Sequence, residues 1–405
     1  MKRERSQTTA FTVDSSMFKP HFPALKSGFS FLDNAAGAQV PARCVRAVSQ
    51  FLESASCNVG MPYPGSIAAT EVKSEARRRT AEFFNCQPDE VILGTSATAL
   101  NFQLARAFSR LWGAGDEVII SELEHEANAS PWRDLERVGV TVNIWRARFP
   151  EGRLHLEDLQ ALLTLKTRLV AVTGASNALG SAPDVAGAAR LARAAGAWTI
   201  TDLVHYSPHH LPDVRALGVD FAVFSAYKVF STHTAFMYVR DGLLPQLPTD
   251  KLHFIPDDSL LKLEPGTNNH EGLSGWVGTL DYLRFDVGDG ADGRAGLETA
   301  YQRIEIVERE LLEAGLEMLR DVPGLTLYGE PTSSGRVGTF CFNLHGQDAM
   351  DVARRCAEAG VGVAAGNYYA TMPLAGLGIG SAVRASIAHY STREDLERLV
   401  GALRD

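Results

Sequence analysis

Lys228 ends the apolar run Val219-Asp220-Phe221-Ala222-Val223-Phe224-Ser225-Ala226-Tyr227-Lys228, and Asp202 ends a second, Trp198-Thr199-Ile200-Thr201-Asp202. Both runs read as strands, so an amine and a carboxylate stand at two strand ends. A lysine amine can form a Schiff base with an aldehyde cofactor. An aspartate can keep a pyridinium nitrogen protonated, so that the ring accepts electrons from a substrate carbanion. Pyridoxal 5'-phosphate (PLP) makes both demands of a protein. The same two residues also fit a buried structural ion pair, and the residues around them weigh between the two.

Gly94-Thr95-Ser96 precedes a helical stretch. Free backbone N–H groups and two hydroxyls there suit a phosphate, and they suit an ordinary N-cap equally. His125 lies in a loop after a strand, with Glu126 beside it as a second acid/base group; a surface histidine is the alternative. Arg384 sits in Val383-Arg384-Ala385-Ser386, where a planar guanidinium suits bidentate carboxylate binding. Its apolar neighbours favour a buried strand over a surface one.

The elements that must position these groups alternate between helical and strand patterns, which indicates an α/β fold with a largely parallel sheet. Strands are expected at 89–93, 117–120, 140–145, 169–173, 198–202 and 221–224, with 235–239 as an antiparallel partner. Helices are expected at 41–54, 67–84, 97–111, 157–163 and 185–195. A linker follows over 243–267, then long helices at 274–285 and 295–320. The second carries Leu297, Tyr301, Ile304, Val307 and Leu311 near helical spacing. Strands at 325–328, 339–344, 361–364 and 383–387, with helices at 349–359 and 393–403, make a small α+β domain. The expected division is an N-terminal arm (1–30), a large domain (31–285) and a small C-terminal domain (286–405). The candidate residues all fall at or just after strand ends, where open α/β sheets bind ligands.

Composition narrows the class. The 405 residues are 45% hydrophobic and 21% charged, with a net charge of −9. That argues against nucleic acid or anionic membrane as the main partner, though a local positive site can still hold a small anion. No apolar run approaches the roughly 20 residues of a membrane span. Met1-Lys2-Arg3-Glu4-Arg5-Ser6-Gln7 has charge with no apolar segment after it, so a frayed tail is expected rather than a secretory signal. The cysteines Cys44, Cys57, Cys86, Cys341 and Cys356 show no CxxC spacing. That argues against a metal site or a disulfide framework and suits a reducing cytoplasm.

From about Phe31 to Val400 the chain resembles the class V aminotransferase superfamily, and within it the cysteine desulfurase-like branch. The residues that carry the resemblance come in the family's order. They are Leu32-Asp33-Asn34-Ala35-Ala36, Gly94-Thr95-Ser96, Glu124-His125-Glu126-Ala127-Asn128, Ser176-Asn177-Ala178-Leu179-Gly180, Asp202 to His205, Ser225 to Lys228, Gly266-Thr267-Asn268, and Val383-Arg384-Ala385-Ser386. The resemblance implies the PLP-dependent transferase fold of type I, with a mostly parallel seven-stranded sheet in the large domain. It implies Lys228 and His125 as catalytic groups, His125 stacking on the cofactor ring and relaying protons. Thr95, Ser96, Ser225 and Tyr227 would join them around the phosphate and ring, with Asp202 at the pyridinium. Asn177 and His205 would reach the 3′-oxygen. His205 replaces a usual glutamine and could titrate near neutrality; Tyr227 replaces a usual histidine. Thr267 would reach the phosphate of a neighbouring subunit, which implies a homodimer with shared sites. Ala36, Asn177, Tyr368, Tyr369 and Arg384 would meet an amino-acid substrate.

One departure bears on the reaction. A cysteine desulfurase carries a nucleophilic cysteine on a mobile loop before the arginine. Here that place is Tyr369, in Gly366-Asn367-Tyr368-Tyr369-Ala370-Thr371, and no cysteine follows Cys356. The arginine usual just before the loop is replaced by Ala364. The expectation is therefore an enzyme acting through an external aldimine and a Cα carbanion, foremost a lyase (C–S or related elimination) with no protein persulfide. The alternatives are an aminotransferase, a desulfurase with another sulfur acceptor, an epimerase or ring-forming enzyme, and a PLP-binding protein without turnover.

Overall fold

A computed structural model describes residues 14–54 and 56–404. The tail expected at Met1 to Gln7, the first residues of the 1–30 arm and the final residue of the small domain lie outside the described residues.

Apolar runs bounded by turn residues become the strands of a seven-stranded sheet: Val91–Gly94 (β1), Glu117–Ser121 (β2), Thr141–Trp145 (β3), Thr167–Thr173 (β4), Trp198–Asp202 (β5), Phe221–Ser225 (β6) and Ala235–Val239 (β7). Their order is β1-β7-β6-β5-β4-β2-β3. Only β7 runs antiparallel, to both β1 and β6. Successive side chains serve opposite faces. In β4, Val170 and Val172 join one apolar cluster while Leu169 and Ala171 join another. A sheet covered on both faces needs such doubly apolar strands.

The register sets the functional ends level. Thr173 pairs with Asp202, Asp202 with Val223, and Ala235 with both Ser225 and Gly94. The carboxyl ends of β1, β4, β5 and β6 thus share one edge of the sheet, as the strand-end placement predicted.

A second, antiparallel sheet orders Leu325–Tyr328 (β8), Thr339–Leu344 (β9), Ala364–Gly366 (β10) and Ala382–Ser386 (β11) as β8-β9-β11-β10. The helix Gly293–Arg320 buries the predicted stripe of Leu297, Tyr301, Ile304, Val307 and Leu311. Its cluster includes Phe224 of the large sheet and Phe340 of the small one.

Three elements differ from expectation. The strand expected over 361–364 splits: Val361–Gly362 pairs in parallel with Ser30–Phe31, and only Ala364–Gly366 joins β11. The helix expected at 274–285 starts at His270, where the Asn269 side chain accepts from the Gly272 N–H at 2.8 Å, and passes into a π-helix over Tyr282–Val287. A short helix at Thr371–Gly376 had no expectation. Before Ser30, Phe18 and Phe22 are buried, with the Phe22 ring 4.4 Å from that of Tyr390 and 5.2 Å from that of Tyr282.

Candidate active site

Lys228 closes the single turn Ala226–Lys228 directly after β6, and Asp202 is the last residue of β5. Lys228 is 6% exposed and Asp202 4%. Both line one small cavity together with His125, Asn177, His205, Ser225 and Tyr227. Burial pushes the Lys228 amine down to about 8, with the Arg384 charge assisting and Asp202 opposing. Burial pushes the Asp202 carboxyl up to about 6, against the Val204 N–H it accepts at 2.8 Å and the nearby lysine charge. The amine is thereby held close to its neutral, nucleophilic form.

The helix Ala97–Phe108 points its N-terminus at this cavity, and Ala97 and Thr98 line it. Ser96 is the N-cap, its hydroxyl oxygen accepting from the Ala99 N–H at 3.1 Å, so the capping role holds alongside any ligand role. The Ala97 N–H donates to Ser225 Oγ at 3.4 Å, which brings the β6 end to the helix start. Thr95 is exposed, and neither it nor Ser96 lines the cavity. Two hydroxyls and a helix N-terminus suit a phosphate.

His125 Nδ1 accepts the Ala127 N–H at 3.0 Å, so its proton sits on Nε2. Burial, then the Lys228 charge, lowers it to about 4. His205, expected to titrate near neutrality, does not: burial, then His209, Lys228 and Arg384, pushes its pKa far down, and the ring is neutral. Asn177 Nδ2 donates to the Tyr368 carbonyl at 2.9 Å, which turns the expected donor onto the 366–371 segment and leaves Oδ1 without a partner. The Tyr227 ring stacks on His233 at 4.8 Å.

Arg384, in β11, is 3% exposed. It donates to Asp33 Oδ1 at 2.8 Å and to the Asn177 carbonyl at 3.0 Å, while its Nε has no partner. Asp33 reaches it because the segment from Leu32 bridges β11 at Ser386, whose hydroxyl also accepts the Ala35 N–H at 2.7 Å. Ala36 is exposed beside this bridge. The Tyr368 ring lies 4.6 Å from the Arg384 guanidinium, and its hydroxyl donates to the Ala382 carbonyl. Tyr369 is 71% exposed, its ring 5.7 Å from that of His125. Thr267 is exposed and does not line its own chain's cavity.

Sequence reasoning gave no role to Glu124, although it quoted the residue. Glu124 is buried under the site and accepts from the Thr173 N–H at 2.6 Å, from Asn128 at 2.7 Å and from Ser121. Burial pushes it up to about 8 against these donors, and the Asp202 charge adds to the rise. The nearness of Asp202 was not visible in a linear motif. Thr98, Thr173, Ala175 and Val204 also line the cavity unannounced.

None of the five cysteines lines the cavity. Cys44, Cys341 and Cys356 are buried, Cys341 directly across the strand pair from Arg384, Cys86 is half-buried, and Cys57 packs near Phe51 and Ala69. Among the described residues no cluster of His, Cys, Asp or Glu could hold a metal.

An amine, a carboxylate, a neutral histidine and a helix N-terminus converge, with Asn177 Oδ1 and His205 Nδ1 left unpartnered among the cavity-lining residues. That set fits PLP. Residues 30–399 match the family described as Aminotransferase class-V. The chain is 33% identical over 395 residues to a cysteine desulfurase of Salmonella dublin, covering 92% of each. A solved cysteine desulfurase of Escherichia coli superimposes with a TM-score of 0.84 at 27% identity, over 96% of this chain and 97% of that one. A variant of C-DES, with glycine covalently linked to its PLP cofactor, shares the fold with a TM-score of 0.80 at 15% identity, over 96% and 99%. The chain belongs to the class V aminotransferase family of PLP-dependent enzymes and is closely related to the cysteine desulfurases.

Proposed function

We propose that this enzyme is a lyase acting on an amino acid, by C–S or a related elimination, with no persulfide on the protein. The observation that carries the reading is the segment 366–371. By the resemblance to the desulfurases, Tyr368 and Tyr369 take the place of the thiol in this segment. It is also pinned: the Tyr369 carbonyl accepts from the Glu126 N–H at 2.7 Å, the Tyr368 carbonyl from Asn177, and Thr371 donates to Glu126. A segment so held does not suit carrying a sulfur from one place to another.

In this reading Lys228 would hold PLP through its amine, Asp202 would serve its pyridinium nitrogen, and Ser96, Thr95 and Ser225 would hold its phosphate. PLP supplies an electron sink for negative charge developing at the substrate Cα. Arg384 binds the substrate carboxylate through its unpartnered Nε and the adjoining Nη2 edge, in competition with Asp33. Lys228, once freed, takes the Cα proton at Nζ, a role suited to an amine near neutrality. His125 Nε2–H donates a hydrogen bond to the leaving group, and the Cα proton taken up by Lys228 is the one the leaving group departs with. Tyr369 flanks that side of the cavity, and burial of the remaining groups excludes water.

The working assembly is a homodimer in which Thr267 of one copy completes the phosphate site of the other. Exposure of Thr267 away from its own cavity supports this. The division into a large unit (31–285) and a small one (286–405), and a cytoplasmic setting, belong to the same proposal. No helix among the described residues is long and apolar enough to cross a membrane. The test is a panel of amino acids assayed for 2-oxo acid, ammonia and sulfide against transfer of the amino group to an acceptor. Release of ammonia with a 2-oxo acid supports the lyase. Stoichiometric amino transfer without ammonia would replace it with an aminotransferase.

A further inference from the structure

His205 is a cavity residue whose side chain meets a hydrogen-bond partner from the other sheet. It follows β5 in the large sheet, yet its Nε2 lies 2.8 Å from Oγ1 of Thr339, the first residue of β9. Both side chains are buried. The other ring nitrogen, Nδ1, is buried with no partner.

A neutral imidazole carries one proton, and His205 is neutral because burial, His209, Lys228 and Arg384 all oppose its charge. Two arrangements remain. If Nε2–H donates to Thr339, Nδ1 is a bare acceptor and the threonine proton is left unspent. If Thr339 donates to Nε2, the imidazole proton moves to Nδ1, and only that donor waits for a partner. The second leaves fewer buried groups unsatisfied. It also offers a donor to an anionic ring oxygen of the cofactor, where a bare Nδ1 would repel it. His209 packs edge-on against His205 at 5.2 Å and is itself engaged by Glu308 at 2.6 Å, so it does not compete for Nδ1.

We propose that Thr339 is a positioning residue: its hydroxyl fixes His205 as the Nδ1–H tautomer, and His205 then donates to the phenolic oxygen of bound PLP. The cofactor's hydrogen bond thereby depends on the small sheet staying docked on the large one. The inference rests on the reading of His205 as a cofactor contact.

The test uses the full chain with 15N-labelled histidine, with the His205 signal assigned by its loss in His205→Gln. The wild-type protein without cofactor should show Nδ1 protonated and Nε2 not. Thr339→Val keeps the shape and removes the hydroxyl. It should shift the tautomer toward Nε2–H and weaken PLP binding roughly tenfold. Thr339→Ser should restore both. A wild-type ring protonated at Nε2, or a Thr339→Val protein matching wild type in tautomer and PLP affinity, overturns the proposal. The wild-type measurement decides even if Thr339→Val fails to fold. A His205→Ala protein with unchanged PLP affinity and absorbance would instead remove the reading beneath it, whatever the tautomer.

Discussion

At the scale of residues, the site works by withholding charge. Lys228 has a pKa of about 8 instead of the ordinary 10.5 because it is buried near Arg384. The neutral amine is the form that attacks an aldehyde, so PLP uptake by the apoprotein should accelerate as pH rises through about 8 and then level off. Asp202 raises this pKa, so Asp202→Asn should move the midpoint down. Stopped-flow absorbance after PLP addition measures both; a midpoint near the ordinary lysine value would refute the buried amine. The sign for stability follows. Between about 8 and 10.5 the unfolded chain holds more protons than the folded one, so the lysine's penalty on folding fades as pH rises through that window. Once PLP is bound, the same Asp202→Asn change should slow turnover on the order of 100-fold while leaving PLP affinity far less affected. Equal turnover in the variant contradicts the aspartate's role. The types of these residues were legible because each ends an apolar run. Their electrostatics were not. His205 looked titratable until the burial around it was seen, and Glu124 gained meaning only from Asp202, which lies far from it in sequence.

At the scale of elements, the pinned segment 366–371 is the feature with most bearing on the reaction. Tyr368 and Tyr369 both adopt left-handed backbone, with φ of 54° and 53°. A side chain there costs roughly 1–2 kcal/mol, partly offset by glycine's extra freedom when unfolded. Tyr369 is mostly exposed, so Tyr369→Gly should leave stability unchanged or raise it by about 1 kcal/mol. Tyr368→Gly removes the ring against Arg384 and the hydroxyl on Ala382, and should cost roughly 2–4 kcal/mol. Urea unfolding of both variants checks this; a Tyr369→Gly loss larger than that of Tyr368→Gly would contradict it. Strands of the large sheet were readable because both their faces are apolar and each ends at a polar residue. The split of the 361–364 stretch was not, since it depends on Ser30–Phe31, a partner far away in sequence. The helix Thr371–Gly376 was equally hidden, being short and without a periodic stripe.

At the scale of the whole molecule, the proposed homodimer predicts complementation. A subunit with Lys228→Ala and one with Thr267→Ala should each form inactive or weak homodimers. Mixed dimers should recover activity, because one of their two sites carries neither lesion. Activity that is full in a monomer by light scattering would end the shared-site proposal. The sequence made the two-sheet architecture legible through the change from alternating to mixed patterns, whereas it gave no sign that Phe18 and Phe22 are buried.

The central claim, a PLP reaction that needs no protein thiol, is tested most directly by replacing Cys44, Cys57, Cys86, Cys341 and Cys356 together with Ser or Ala. The measurement is turnover of the best amino-acid substrate by this variant beside the parent, with PLP content and folding verified in both. Turnover within about threefold of the parent is the predicted result, since a thiolate nucleophile would be lost outright. A folded, PLP-loaded variant without turnover, together with a persulfide trapped on Cys57 of the parent, would contradict the account and make the protein a desulfurase with a displaced sulfur acceptor.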